Sequence, residues 1–229
     1  MIDYARHMAV FDPSKFKNKH IHIIGAGATG SRIAVGLSKL GLENLHIYDY
    51  DVVESHNVAN QVYSVNDIGQ KKSDAIGAII KRYTGVDVEC NDMRVGSDNT
   101  FEGVVYLLTD TMESRKEIWE SCIKGKVSVE LMVETRMGVS EGRVYLVNPI
   151  CRKHQEEWED TLYDDDEGVE SVCGSKISVG PTAEIISGLA VWQFIKWYQR
   201  LSGTDINVEN ELIFSLNPPI FLKREFQVI

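Results

Sequence analysis

The stretch IIGAGATGSRIAVGLSKLGLENLHIYDYDVVESHNVANQ, Ile23 to Gln61, decides the fold. His20 to Ile24 is a short run ending at Gly25 and reads as a strand. Ser31 to Leu40 puts Ile33, Leu37 and Leu40 on one helix face. Gly41 follows as a helix stop, and Leu45 to Tyr48 reads as the next strand. Together they form a βαβ unit of about 30 residues, the usual length of such a crossover. Within it, GAGATG sets Gly25, Gly27 and Gly30 at the positions of G-x-G-x-x-G. The first glycine permits a tight turn and the second lets phosphate approach the backbone. The third lets the helix pack on the strand, and the helix start offers N–H groups and positive potential. Asp49, at the end of the second strand, is placed to accept hydrogen bonds from ribose hydroxyls. NAD and ATP both carry an adenosine ribose, so the loop alone does not choose between them.

Outward from this unit, Ser73 to Tyr83 reads as a helix and Val86 to Cys90 alternates like a strand. VVYLLTD, Val104 to Asp110, is an apolar run suited to a central strand buried on both faces. A helix from Glu113 to Ile123 follows, then VSVELMVE and GRVYLVNP, two strands joined through the hairpin-like TRMGVSEG. Pro181 to Leu201 reads as a long helix, and ELIFSL and IFLKREFQV as final strands. Strands alternate with helices early and pair by hairpins late. The expected fold is therefore α/β, a Rossmann-like doubly wound sheet, parallel in its N-terminal part with a mixed or antiparallel C-terminal extension. No flexible linker divides the chain, so residues 1–229 are read as a single domain.

Composition narrows the function classes. The net charge of −10 argues against a general nucleic-acid binder, which needs clustered Lys and Arg. It suits a small-molecule enzyme or a basic protein partner. The acidic excess gathers in EEWEDTLYDDDEGVE, Glu156 to Glu170, which reads as a solvated loop. Of the four cysteines, Cys90, Cys122, Cys151 and Cys173, none forms a CxxC pair, so no zinc is expected. The N-terminal MIDYARHMAV lacks a secretory apolar core. The longest apolar segment is broken by Glu184, Gln193 and Lys196, so no membrane span is expected. The expected setting is cytoplasmic and reducing. The six histidines show no ligand spacing.

The residues after Asp49 separate the nucleotides. DYDVVESHNVANQVYSVNDIGQKKSDA resembles the signature of the ThiF/MoeB/HesA and ubiquitin-activating enzyme family, D-x-D-x-V-E-x-S-N-L-x-R-Q followed by G-x-x-K. Asp49, Asp51, Val53, Glu54, Asn57, Gln61, Gly69 and Lys72 stand at matching positions. TDTMESR, Thr109 to Arg115, resembles the family's T-D-N-x-x-x-R. YARHMAVFD resembles its opening segment, with Arg6 at the second arginine, and VCGSKISVGPTAEIISGLAVWQFIKW resembles its late cysteine and small-residue helix. The resemblance implies ATP-dependent adenylation of the C-terminal carboxylate of a ubiquitin-like or sulfur-carrier protein, or of a peptide, by a homodimer. It implies Lys72 as the phosphate cation, Asp110 as the Mg²⁺ ligand, and Asn57 and Gln61 as phosphate donors. It also implies Arg6 reaching into the partner's site, and Cys173 as a candidate acyl or persulfide carrier, with Cys151 a weaker one. Asp110 could instead cap the following helix, Lys71 sits beside Lys72, and Arg115 could be a phosphate ligand but reads better as a helix-surface arginine.

Two departures stand out. HNVANQ carries Asn60 where the family has an arginine, and the zinc-binding CxxC pairs of many relatives are missing. Asparagine brings no charge, and charge-assisted hydrogen bonds are roughly twice as strong as neutral ones. The missing cation leaves open a nucleotide-binding scaffold without turnover. An NAD-dependent oxidoreductase rests on GxGxxG and Asp49 alone.

Overall fold

The computed structural model describes residues 2–165 and 178–226. The strands are β1 (Ile21–Ile24), β2 (Leu45–Tyr48), β3 (Glu89–Asn91), β4 (Gly103–Leu107), β5 (Val129–Met137), β6 (Glu141–Val147), β7 (Glu211–Leu216) and β8 (Pro219–Arg224). The helices are α1 (Gly30–Lys39), α2 (Lys72–Thr84), α3 (Met112–Ile118), α4 (Arg152–Glu159) and α5 (Gly180–Leu201). The strands form one sheet in the order β3-β2-β1-β4-β5-β6-β7-β8. The first five are parallel, and β5 to β8 are antiparallel neighbours. The expected doubly wound sheet with an antiparallel extension is the observed one.

Helices cover both faces. On one, Ile21 and Ile23 of β1 meet Ile33 and Leu37 of α1, Ile76 and Ile80 of α2, and Ile186 and Phe194 of α5. On the other, Ile24, Val105 and Met132 meet Ile118 and Trp119, with Trp158 of α4. Burial of large apolar side chains in two such layers, roughly 1.5–3 kcal/mol each, is the main source of stability. Two glycines set how β1 hands over to α1. Gly25 has φ +96°, and a Cβ at Gly30 would lie 1.9 Å from the Gly25 carbonyl oxygen. Only glycine fits at such an approach, so α1 starts directly over the end of β1. Among the described residues, no helix is long and apolar enough to cross a membrane.

The structure corrects the reading of Glu156 to Glu170 at its start: residues 156–159 belong to α4. That helix shows one buried apolar residue, Trp158, and otherwise polar surface. A single anchor gives no periodicity to detect. Ion pairs Arg152–Glu156 at 2.8 Å and Lys153–Glu157 at 3.0 Å, each four residues apart, support it. Residues 166–170 lie outside the described residues.

Neighbouring strands β1 and β2 stack His22 on His46, ring centroids 4.7 Å apart, with Phe101 4.9 Å from His22. Burial, with His46 and His20 alongside, pushes the His22 pKa down to about 4. The folded state therefore binds fewer protons than the unfolded chain between those values. The stabilisation is complete above pH 6.5 and is lost as pH falls toward 4. The loss attributable to His22 is on the order of 2–3 kcal/mol. Urea unfolding at pH 7.5 and 4.5 checks it: wild type is expected to lose more stability than His22→Leu, and equal losses would contradict the assignment.

Candidate functional site

A cavity of 1210 Å³ opens at the C-terminal ends of β1, β2 and β4. Ligands of open α/β sheets sit at this edge, where strand order reverses. Here the reversal falls between β1 and β4.

Its first wall is the glycine loop. Gly27 lines the cavity, and a Cβ built on it would meet nothing within 4 Å, so the loop presents bare backbone. Asp49 shapes that loop: its Oδ2 accepts from the Ala26 N–H at 2.7 Å and its Oδ1 from the Asp51 N–H at 2.8 Å. Burial raises the Asp49 pKa, opposed by these two bonds and by Lys72. Tyr63 donates to the Ala26 carbonyl at 2.8 Å from beneath.

The second wall is the return from β2 to α2. Val52 bridges Lys71, and the Lys72 N–H donates to the Asp51 carbonyl at 2.9 Å. This brings the Lys72 ammonium 2.7 Å from the Asp51 carboxylate on the cavity wall. Lys71 turns away to Asp92 at 3.3 Å, so the two lysines are distinguished by placement. A 3-10 turn, Ser55–Ala59, carries Asn57, whose Oδ1 accepts from the Glu54 N–H at 2.9 Å. Asn57, Asn60 and Gln61 all line the cavity.

The third wall is the end of β4. Thr109 and Asp110 face the cavity, and Asp110 is exposed. It is not the helix cap. Thr111 is, its Oγ1 accepting from the Ser114 N–H at 3.2 Å, while the Asp165 carboxylate takes the Met112 and Glu113 N–H groups at 2.7 and 3.0 Å.

Arg115 is not on the helix surface as expected. It is 7% exposed, its Nε donates to the Thr109 carbonyl at 2.9 Å, and its Nη1 pairs with Glu134. Glu134 is fully buried and also accepts from Arg136 Nε at 2.7 Å and Trp158 Nε1 at 2.7 Å. Burial alone would raise its carboxyl; Arg136 and Arg115 outweigh that and hold it below the ordinary range. The helical spacing that places Arg115 one turn past Thr111 was visible. The pairing that pulls it inward is not, because Glu134 stands 19 positions away on β5 and no local pattern joins the two.

Among the described residues, four buried side-chain atoms on this cavity have no partner: Asn60 Oδ1, Gln61 Oε1, Thr109 Oγ1 and Ser178 Oγ. A buried polar group without a partner costs about 1–3 kcal/mol, so their gathering marks a place built for a polar ligand. Hydroxyls, amides, backbone N–H groups and Lys72 suit a phosphorylated nucleotide. Mg²⁺ suits the donor set as well, since it takes one or two carboxylates beside substrate phosphates, and Asp110 supplies one. Among the described residues, no group of three or more His, Cys, Asp or Glu is arranged to hold a metal unaided.

The structure does not bring every candidate together. Gly25, Gly27, Asp49, Asp51, Asn57, Gln61, Lys72 and Asp110 share the cavity wall, and Gly30 lies just behind it. Arg6 is exposed in an N-terminal turn and does not line the cavity of its own chain. Cys173 lies outside the described residues. Cys151 caps α4, off the cavity. Sequence reasoning missed Thr135, whose hydroxyl donates to Thr29 Oγ1 at 3.1 Å on the cavity wall; no local motif marks it.

The model of the ThiF family matches residues 4–223. The adenylyltransferase and sulfurtransferase MOCS3 of Caenorhabditis briggsae is 30% identical over 132 residues, covering 52% of this chain and 33% of that protein. The chain spans about a fifth to a third of the length of the curated relatives it matches. Among solved structures, PaaA superposes with a TM-score of 0.72 at 19% identity, over 99% of this chain and 73% of the other. E. coli MccB with ATP superposes at 0.70 and 14% identity, over 95% of this chain and 67% of the other.

Proposed function

The chain belongs to the ThiF family, and on that premise we propose that it is an ATP-dependent adenylyltransferase. It activates the C-terminal carboxylate of a ubiquitin-like or sulfur-carrier protein, or of a peptide, as an acyl-adenylate. In this reading residues 1–229 act as one adenylation domain. The observation that carries it is the cavity: Gly27, Lys72 and Asp110 converge with four orphaned polar atoms on a single wall system. That a relative is named an adenylyltransferase and that E. coli MccB has been solved with ATP supports the reading.

The chemistry follows from charge. A carboxylate oxygen attacks the α-phosphorus of ATP; the bond to the bridging oxygen of the β-phosphate breaks, and pyrophosphate leaves. Two anions must approach, so positive charge and hydrogen-bond donors at the phosphates lower the barrier. Lys72 serves as the phosphate cation, exchanging its contact with Asp51. The backbone at Gly27 and the side chains of Asn57 and Gln61 hold phosphate oxygens, and the Asp49–Asp51 segment holds the ribose. Asp110 would hold Mg²⁺, which when bound neutralises phosphate charge.

Arg6 is proposed to act in the partner subunit's site of a homodimer. Arg6→Ala and Asp110→Ala proteins, each inactive alone, are expected to recover activity when mixed and allowed to exchange subunits. No recovery would contradict the role in trans. Cys173 is proposed as an acyl or persulfide carrier in a cytoplasmic enzyme.

Thermal unfolding with ATP–Mg²⁺ and with NAD tests the nucleotide reading. A ligand at about 100 times its Kd stabilises by about 2.7 kcal/mol. ATP–Mg²⁺ is expected to raise Tm and NAD to leave it unchanged; the reverse would restore the oxidoreductase reading.

A further inference from the structure

Arg32, the third residue of α1, has no part in the account so far. Its side chain is 11% exposed. Nη1 donates to the Ala28 carbonyl at 2.8 Å and to the Asn60 carbonyl at 2.5 Å. Nε lies 2.8 Å from Glu184 Oε1 but off the line of a hydrogen bond, so this contact is an ion pair. A Cβ built on Gly180 would lie 3.9 Å from Arg32 Nη2, 3.9 Å from Asn60 Cα and 3.4 Å from the Ala59 carbonyl oxygen. One planar guanidinium thus joins the glycine loop, the turn after Ala59 and the start of α5. Ala28, Asn60 and Gly180 each line the cavity, and Arg32 stands behind them. Two of the orphaned polar atoms, Asn60 Oδ1 and Gln61 Oε1, sit on the turn it holds.

Charge and geometry can be weighed. Glu184 neutralises the guanidinium at contact distance, so the field reaching the cavity is that of a close pair and falls off faster than a lone charge. The hydrogen bonds from a charged donor to two carbonyls are of the stronger, charge-assisted kind, and they fix backbone directly. Geometry dominates.

We propose that Arg32 is a positioning residue for the phosphate end of the nucleotide. It sets the spacing between the glycine loop, the Asn60–Gln61 turn and the start of α5, so that donors on the loop backbone and on the turn's amide nitrogens can meet the triphosphate together, while the turn's amide oxygens are left to accept from ligand hydroxyls. The inference rests on the ATP reading. Lysine does not replace arginine here, because a single ammonium lacks the planar fork that reaches two carbonyls and a carboxylate together.

Calorimetric titration of wild type, Arg32→Met, Arg32→Lys and Glu184→Gln with ATP–Mg²⁺ and with adenosine tests this, with thermal unfolding of each alongside. Both Arg32 variants are expected to lose about tenfold or more in ATP affinity while adenosine affinity stays unchanged. Glu184→Gln is expected to keep wild-type ATP affinity. A merely structural role would lower ATP and adenosine affinity together. That result, unchanged ATP affinity in Arg32→Met, or full rescue by lysine, overturns the inference. Wild-type protein that binds no ATP overturns the nucleotide reading itself. Wild-type binding with indifferent Arg32 variants leaves that reading standing and removes this one alone.

Discussion

Replacing Lys72 by alanine is expected to lower ATP–pyrophosphate exchange about 10²- to 10³-fold, the size of effect seen when one preorganised donor to a developing charge is removed. The fold should survive. The ammonium is paired with Asp51, whose side chain is half exposed, and loss of a partly exposed ion pair costs about 1 kcal/mol or less. The neighbouring Lys71→Ala is the internal control, because Lys71 is paired with Asp92 away from the cavity and should exchange at the wild-type rate. Stopped-assay exchange kinetics with urea unfolding of both proteins checks this. Equal activity of Lys72→Ala and wild type would remove Lys72 from the site.

The largest stability effect is expected at Glu134. Its carboxylate is wholly buried between Arg115 and Arg136 and takes the Trp158 indole N–H. Removing one partner of a buried ion pair leaves uncompensated charge and costs about 3–5 kcal/mol. Total stability of a domain is about 5–15 kcal/mol, so Glu134→Ala stands near the threshold of unfolding. The site should feel it too, since Arg115 also anchors the Thr109 carbonyl next to Asp110. Equilibrium unfolding in urea reads the loss, and a change below about 1 kcal/mol would show that the network contributes little net stability.

How much was legible in the sequence depends on the kind of signal. The βαβ unit was fully legible, because three glycines, a helix stripe and an acidic strand end all agree over one crossover. The antiparallel half was legible through its hairpins: the expected strand Glu211–Leu216 is β7 to the residue. The helix α4 was not, since it buries only Trp158 and offers no stripe. β3 proved shorter and later than the alternating run from Val86 suggested, because only Glu89 to Asn91 reach β2. At the site, Gly27, Asp49, Lys72 and Asp110 belong to local motifs, and all four line the cavity. Arg32, Thr135 and Glu134 act through contacts to residues 28, 106 and 19 positions away, respectively, and no local pattern announces such pairs.

Asn60 bears on whether the cavity turns over ATP or only holds it. The turn at Asn60 carries no side-chain cation, and its backbone is held instead by Arg32 from behind the cavity wall. Lys72 and Asp110 line the cavity although Asn60 brings no charge, so ATP–pyrophosphate exchange, rather than ATP binding, separates turnover from holding.

The most direct test is ATP–pyrophosphate exchange by the purified protein with Mg²⁺ and candidate carriers ending in Gly-Gly, with Asp110→Ala run in parallel. The account predicts exchange that requires a carrier and disappears in Asp110→Ala. ATP binding without exchange on any carrier, or exchange that survives in Asp110→Ala, would contradict it.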